Sequence, residues 1–413
     1  MKNICLYFQI HHPFAYRTLR FFEIGESKTW YDDLRTEKEI RDAAEHYYIP
    51  TNNFLLNMVS RSGGKFKVSF SISGTALDQF LMYSPNLINS FSQLAETGLV
   101  EFLGTTSSHS ISSLADSENE FVRQIKENRI RLKRYFDQTP QVFANTDLLF
   151  TDQITQVVNK NGYKAILTNG ATKILHWRSP NYLYAATNQG NSRIIFRNEP
   201  ISNELTLILR DMDILKAETP EARFFTILKN INPEEPVINI YLNYNALGGS
   251  GRELKQQFFS RLTSKIIESH LFQFRLPTEI LTQLGPVSEI GSSEPVCWTE
   301  YFHSSYHPGN ELQKEAIKQL FKLEKLVCRS KDPNSRIDWS YLQTSDHFHL
   351  LDENHPAYRD TGSVQSIYKS RYDAFINYMN LLEDFRVRLK TEARLQKSMP
   401  SARKPINSGI RQV

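Results

Sequence analysis

Cysteine is scarce in this 413-residue sequence, which contains only three. Cys5, Cys297 and Cys328 are odd in number and far apart, so they encode neither a disulfide framework nor a zinc ribbon. Frameworks of disulfides belong to proteins of oxidising compartments. The cysteine content therefore fits a protein of a reducing compartment.

Long hydrophobic runs are also missing. No segment approaches the roughly 18 consecutive apolar residues of a membrane helix. The N-terminal stretch MKNICLYFQIHHP lacks the long apolar region and the small-residue cleavage site of a signal peptide. We therefore expect a cytoplasmic protein without a membrane partner.

Neither sign of charge is in large excess. The 49 Lys and Arg residues against 45 Asp and Glu residues give a net charge of +4. The densest basic cluster, residues 129–134, lies on a predicted helix whose apolar residues recur every three or four positions, so we interpret it as a solvated helix face. Nucleic-acid binding usually needs a larger basic surface, and we expect no such partner.

Motifs for metal, nucleotide or nucleophile chemistry are incomplete. GGSGRE lacks the terminal Lys-Ser/Thr of a phosphate loop. The first strand is followed only by His11 and His12, not by the paired aspartates of metal-dependent polysaccharide deacetylases. His303 and His307 have the spacing of a zinc pair, but a proline and a glycine follow directly and the glutamate of a metalloprotease is missing. No Ser or Cys triad has a local signature, and we expect no metal and no cofactor.

Short apolar runs alternate with amphipathic segments over the first two-thirds of the chain. This is the pattern of repeated β-α units around a parallel sheet. The runs that predict strands are ICLYFQI, KFKVSFSI, LVEFLG, QVFANT, KAILTN and VINIYLN. The clearest helix follows Ser117, with Glu120 at the spacing of a capping box.

Polar residues follow each predicted strand. Because the carboxyl ends of parallel barrel strands meet at one face, these side chains are expected to converge there. They are His11, Ser73, Thr105, His109, Asn145, Asp147, Asn169 and Asn243.

After a Gly-, Pro- and Ser-rich connector the pattern becomes helical. One predicted helix carries a core stripe that includes Leu312, Ala316 and Leu320, and a second carries Tyr372, Phe375, Met379, Leu382 and Phe385. The basic C-terminal residues lack apolar periodicity, which predicts a disordered tail.

The order of these motifs resembles glycoside hydrolase family 57, the family of α-amylases and 4-α-glucanotransferases. The likeness runs from YFQIHHPFAYR through KFKVSFSISGTALDQF, VEFLGTTSSHSISSL, TPQVFANTDLLF, WRSPNYLY and VINIYLNYNALGG to LQTSDHF and YDAFINYMN. It implies an α/β fold in which an incomplete (β/α)7 TIM-like barrel is followed by a C-terminal helical domain. The corresponding boundaries are 1–283 for the barrel, 284–300 for the connector, 301–392 for the helical domain and 393–413 for the tail.

The resemblance also implies a retaining mechanism, in which one carboxylate attacks the anomeric carbon and a carboxylic acid protonates the leaving oxygen. The family's nucleophilic glutamate aligns with Asp147, and its acidic aspartate aligns with Asn243. An amide has no proton to give at neutral pH, so Asn243 removes a contribution of about 10²–10⁴-fold. Aspartate is one methylene shorter than glutamate, which pulls the attacking oxygen back. Neighbouring positions depart from the family as well: Thr105, Ser107, Ser108, Ala144, Asn245 and the HLLDEN segment after SDHF.

Other motif positions match, and the resemblance implies that they bind glucose hydroxyls or stack on sugar rings. They are His11, His109, Trp177, Arg178, Asp346 and His347.

Two hypotheses follow. The favoured one is an α-amylase-like protein of carbohydrate metabolism that binds an α-glucan oligo- or polysaccharide, has lost or weakened hydrolysis, and acts as a binding or regulatory subunit, with a protein partner in glycogen or starch metabolism. The alternative is an active retaining hydrolase or 4-α-glucanotransferase that uses Asp147 with Asp346 or Glu101 as a rearranged acid/base pair.

Overall fold

The computed structural model describes residues 1–26, 29–187, 192–211, 219–297, 309–353, 355 and 367–398. All six predicted strands are present in it, together with four that the sequence patterns did not predict. The strands are β1 (Lys2–Ile10), β2 (Val68–Ile72), β3 (Val100–Leu103), β4 (Val142–Ala144), β5 (Ala165–Asn169), β6 (Leu183–Ala186), β7 (Arg193–Arg197), β8 (Val237–Asn243), β9 (Phe272–Phe274) and β10 (Glu289–Ile290).

Seven parallel strands form a barrel in the order β8, β1, β2, β3, β4, β5, β7. A bridge between Gly104 and Phe143 joins β3 to β4. Strands β7 and β8 are held together by hydrogen bonds of Asn239 in β8. Its carbonyl accepts from the Asn198 N–H at 2.8 Å, and its Nδ2 donates to the Phe196 carbonyl at 3.0 Å. The prediction of an incomplete seven-unit barrel followed by helices is confirmed.

Helices cover the outside of the barrel and form the C-terminal region. They are α1 (Asp33–Ala43), α2 (Ile49–Arg61), α3 (Gly74–Tyr83), α4 (Pro85–Glu96), α5 (Glu118–Phe136), α6 (Asp152–Lys160), α7 (Thr172–Leu175), α8 (Glu199–Arg210), α9 (Pro220–Lys229), α10 (Arg252–Glu268), α11 (Pro277–Gln283), α12 (Glu311–Phe321), α13 (Glu324–Val327), α14 (Pro333–Leu342), α15 (Ser345–His349) and α16 (Arg371–Ser398). A π-helical segment, Ala44–Tyr48, joins α1 to α2.

The barrel interior is apolar and closed at the amino ends of its strands. Cys5, Tyr7, Leu167 and Tyr241 pack there with Ile280 of α11. Since α11 covers this end, a ligand is expected at the opposite face, at the carboxyl ends of the strands, which we call the open face.

Two local predictions for helices need correction. Ser117 caps α5 by accepting from the Asn119 N–H, but Glu120 does not complete a capping box because its carboxylate binds Arg123 and Gln124 instead. On α16 the buried face is formed by Ala374, Tyr378, Leu381, Leu382, Phe385 and Leu389, whereas Tyr372 is 56% exposed. The predicted stripe began on the wrong residue because α16 also carries apolar side chains, such as Ile376, on its solvent-exposed face. The apolar pattern alone therefore does not identify the buried face.

The segment boundaries also differ from the sequence patterns in detail. Residues 289–290 of the connector form β10, which pairs with β6, and Val296 forms a bridge with Phe150. Helix α16 continues to Ser398, so residue 392 lies inside it. His303, His307 and residues 399–413 lie outside the described residues. None of the described helices is both long and apolar enough to cross a membrane.

Candidate active site

Four side chains of the predicted site are brought to the open face by different segments of the chain. His11 follows β1, His109 lies in the loop after β3, and Asp147 lies in a 3-10 turn, Thr146–Leu148, after β4. Asp346 comes from α15, more than three hundred residues from its partner His11 in the sequence. Only the tertiary fold brings this cluster together.

His11 connects the second barrel unit to α15. Its Nδ1 lies 2.8 Å from Ser73 Oγ, and its Nε2 lies 3.0 Å from Asp346 Oδ2. Ser73 Oγ already accepts from the Ala76 N–H as the cap of α3, so its hydroxyl donates to His11 Nδ1. His11 Nε2–H is then directed at Asp346.

The protonation states of this pair follow from burial and contact. Burial, together with neighbouring His109, lowers the pKa of His11 to about 4. Burial alone would raise the pKa of Asp346, but His11 outweighs it and holds that pKa well below its usual range. At neutral pH His11 is uncharged and Asp346 is a carboxylate.

Asp147 is held by two imidazoles. Its Oδ2 lies 2.9 Å from His349 Nε2, and its Oδ1 lies 3.4 Å from His109 Nε2. Burial opposes ionisation, yet His349 and His109 hold the pKa of Asp147 far below its usual range. In return Asp147 raises the pKa of His349 against the effect of burial. The two opposite pKa shifts favour a buried ion pair between these residues.

The backbone around Asp147 is strained. Asp147 and Leu148 have φ values of 50° and 51°, and His109 has 49°, all in the left-handed region. Non-glycine residues rarely adopt this conformation, and such residues cluster at functional sites. The turn directs Asp147 toward both histidines while Leu148 stays buried in the barrel interior.

Helix α15 is anchored directly to the loop that carries His109. The Ser345 N–H donates to the His109 carbonyl at 3.0 Å, and Thr344 Oγ1 donates to the Ser108 carbonyl at 3.0 Å. Asp346 and His349 are three residues apart, so they lie on one face of the helix. That face is turned to the strand ends.

Asn243 lies at the end of β8, in register with Gln9 of β1. Residues paired in register on parallel strands point to the same side of the sheet. Gln9 Nε2 lies 3.1 Å from His109 Nε2, whereas Asn243 Oδ1 accepts from the Asn245 N–H at 3.2 Å. The position offers an amide beside the cluster and no acidic proton.

Trp177 and Arg178 lie outside this cluster, just after α7. Trp177 is 89% exposed, and the Arg178 guanidinium lies 5.7 Å from the centre of its ring. The pair presents a flat aromatic surface to solvent.

His347 is turned away from the cluster into the helical region. Its ring lies 5.0 Å from that of Tyr16 and 4.9 Å from that of Tyr378, and its buried Nε2 has no hydrogen-bond partner among the residues that the structure describes. Burial lowers the pKa of His347 to about 4. The resemblance predicted a sugar contact here, but the structure places this side chain in a packing position.

Sequence reasoning missed two residues at this face. His349 begins the HLLDEN segment, in which the sequence departs from the family, and its only sequence signal is its spacing of three from Asp346. Arg197 ends β7, a strand that was not predicted. It is 1% exposed and donates to Asn169 Oδ1 at 3.2 Å and Asn203 Oδ1 at 2.6 Å.

Glu101, the other acid considered for catalysis, lies toward the closed end of the barrel. Its Oε2 accepts from Thr278 N–H at 3.1 Å and from Thr278 Oγ1 at 2.7 Å, both at the start of α11. Burial raises the pKa of Glu101 to about 7. Within the described ranges, no three His, Cys, Asp or Glu side chains are grouped so that they could hold a metal ion.

The fold is a seven-stranded α/β barrel whose site, at the carboxyl ends of the strands, also receives acid and histidine side chains from a following helical region. The sequence profile described as Glycosyl hydrolase family 57 matches residues 5–291. The chain belongs to this family, whose members are α-amylase-like enzymes of carbohydrate metabolism.

Known relatives agree with this assignment. A Methanocaldococcus jannaschii protein named "Putative alpha-amylase" is 28% identical over 403 residues, which cover 93% of this chain and 84% of that protein. The fold matches a family 57 branching enzyme of Thermococcus kodakaraensis with a TM-score of 0.73 at 12% identity, covering 96% of this chain and 92% of the enzyme. It also matches the 4-alpha-glucanotransferase of Thermococcus litoralis with a TM-score of 0.62 at 11% identity, covering 84% of this chain but 56% of that longer protein.

Proposed function

We propose that this protein binds an α-glucan at the open face of its barrel and that its hydrolytic activity is lost or weak. It acts in carbohydrate metabolism as a binding or regulatory subunit. Its ligand is an α-glucan oligo- or polysaccharide, and a protein partner in glycogen or starch metabolism fits the regulatory role.

The observation that carries this proposal is that neither Asn243, at the acid position, nor Asp346, the other acid considered at this face, can protonate a leaving group at neutral pH. A retaining glycosidase needs one acid that still carries its proton. Position 243 is an amide, and His11 keeps Asp346 ionised at neutral pH. Loss of general acid catalysis alone slows such a reaction by about 10²–10⁴-fold.

Glucan binding is supported by side chains that remain suited to sugar hydroxyls. The carboxylate of Asp346, whose side chain is 37% exposed, can accept hydrogen bonds from a sugar. Trp177 offers an exposed ring to the apolar face of a glucose unit. Charged and aromatic groups placed in this way are typical of ligand sites at the carboxyl ends of barrel strands.

The active alternative retains one supporting observation, the strained turn that still carries a carboxylate at Asp147. Glu101 is a poor proton donor for this carboxylate because α11 covers the end of the barrel where Glu101 binds Thr278. Asp346 is more accessible, yet it lacks a proton at neutral pH. Turnover through Asp346 would therefore be expected only in acid.

Titration calorimetry with maltoheptaose, combined with overnight incubation of the purified protein with maltoheptaose and glycogen, tests both functions. We expect binding without hydrolysis or transfer products. Asp346→Asn should weaken binding, whereas Asp137→Asn, an exposed change in a left-handed position that asparagine tolerates, should not. Absence of binding would contradict the proposal. Products that disappear in Asp147→Ala would favour the active alternative.

A further inference from the structure

His349 has a relationship to Asp147 that the missing acid does not explain. The imidazole reaches the carboxylate from α15, across 202 residues of sequence, and its Nε2 lies 2.9 Å from Asp147 Oδ2. The side chains are 17% and 8% exposed. A charged pair this close and this well shielded from water is held much more firmly than a surface ion pair.

A role for His349 as the replacement acid does not fit this distance. In retaining glycosidases the nucleophile and the acid are about 5–5.5 Å apart, because the anomeric carbon and the leaving oxygen lie between them. The separation here is 2.9 Å and the imidazole proton is directed at the nucleophile position itself. No sugar carbon can pass between the two groups while they stay in contact.

We propose that His349 is a positioning residue that blocks Asp147, so that catalysis is prevented at the nucleophile position independently of Asn243. This inference rests on the proposed function, because it takes Asp147 to occupy the nucleophile position. The carboxylate that should attack the anomeric carbon instead forms a hydrogen bond with the His349 imidazole.

The surroundings keep this block in place. The second carboxylate oxygen of Asp147 faces His109 at 3.4 Å, so both oxygens have an imidazole neighbour. His109 in turn fixes α15, because its carbonyl accepts from the Ser345 N–H. Moving His349 away from Asp147 therefore requires either a different side-chain rotamer or displacement of α15 from the loop after β3.

The substrate α-maltosyl fluoride distinguishes the effect of His349 on Asp147 from the effect of the missing acid at position 243. Its leaving group, fluoride, departs without being protonated. The Asp147 carboxylate would attack the anomeric carbon while the carbon–fluorine bond breaks and fluoride takes the bonding electrons. Water would then hydrolyse the glycosyl ester, returning the carboxylate and releasing a proton. The rate of fluoride release therefore measures attack by the Asp147 carboxylate, even though position 243 is an amide.

We expect wild type to release fluoride no faster than Asp147→Ala. His349→Phe, alone or combined with Asp147→Glu, should release it on the order of tenfold faster or more, since a hydrogen bond to a charged group is removed from the nucleophile. His46→Phe, an exposed histidine on the π-helical segment, is the matched control and should behave as wild type.

Failure of this inference is distinguishable from failure of glucan binding. If wild type binds maltoheptaose and both His349→Phe variants remain silent, or if wild type is as fast as they are, the block is contradicted. If wild type does not bind maltoheptaose, the proposed glucan binding is contradicted. The contact between His349 and Asp147 is then tested by an NMR titration of His349. Asp147→Asn should then lower the pKa of His349, because the neighbouring carboxylate is lost, and an unchanged titration would overturn the inference.

Discussion

His11 and His109 stack with ring centres 4.3 Å apart and an angle of 24° between the ring planes. His11 binds Asp346 and His109 contacts Asp147, so this stack joins the acid of the helical region to the acid of the barrel. Each carboxylate is thereby kept ionised by an imidazole. The arrangement suits hydrogen bonding to a neutral ligand better than proton donation to one.

Restoring turnover should require three substitutions at the open face. Asn243→Asp supplies an acid worth about 10²–10⁴-fold, Asp147→Glu restores the reach of the attacking oxygen, and His349→Phe removes the ion pair. We expect the triple variant to hydrolyse maltoheptaose at least roughly tenfold faster than the double variant that retains His349. Chromatography of the products measures the rate. A control triple variant with Asp147→Ala instead of Asp147→Glu should show no gain.

Glu101→Gln should stabilise the protein in alkaline solution. The pKa of Glu101 is about 7 in the fold, against about 4.3 in an unfolded chain. The folded state therefore binds more protons between these values, and its stability falls as the pH rises through them. Glutamine does not titrate, so the variant should be more stable than wild type by about 2–4 kcal/mol at pH 8 and nearly equal at pH 4.

Urea unfolding at the two pH values measures this difference. Maltoheptaose binding should be unchanged, because Glu101 lies toward the end of the barrel covered by α11. Equal stability of the two proteins at pH 8 would contradict the assignment of a protonated Glu101.

His347→Phe should reduce the sensitivity of the fold to acid. The pKa of His347 is about 4 in the fold, against about 6.5 in an unfolded chain. The unfolded state binds more protons between these values, so the stability contributed by neutral His347 falls as the pH falls from 6.5 to 4. Phenylalanine keeps the aromatic packing on Tyr16 and Tyr378 without titrating.

Between pH 7.5 and pH 5 wild type should lose about 2 kcal/mol more than the variant. Urea unfolding checks this, with exposed His46→Phe as the control. Parallel losses in His347→Phe and wild type would show that His347 is charged inside the fold.

Trp177→Ala should weaken maltoheptaose binding without affecting folding. An 89% exposed tryptophan contributes little to the core, so its removal should leave the thermal midpoint nearly unchanged. Loss of one stacked ring is expected to cost about 1 kcal/mol or more, several-fold in affinity. Calorimetry measures the affinity, and Phe22→Ala, an 89% exposed aromatic of the Phe21–Glu23 turn, is the matched control. Equal affinities in Trp177→Ala and wild type would remove Trp177 from the site.

Most of the barrel strands and the helical region could be predicted from the sequence. Six runs such as VINIYLN predicted barrel strands because strands buried on both sides need continuous apolar residues. The strand RIIFR, which carries Arg197 to the open face, was missed because its apolar run is only three residues long and is flanked by arginines. The family could be predicted because its motifs occur in the same order in this sequence. The same alignment showed that position 243 carries an amide in place of the acid.

The contacts within the site were decided only by the tertiary structure. Asp346, His347 and His349 lie within four residues, and a helix turns by about 100° per residue. Asp346 and His349 consequently share the face turned to the barrel, while His347 enters the helical core. Which face of α15 meets the barrel depends on its anchor at the His109 carbonyl. Local sequence patterns carry no information about that contact, because it joins segments more than two hundred residues apart, and so the pairing of His349 with Asp147 was visible only in the fold.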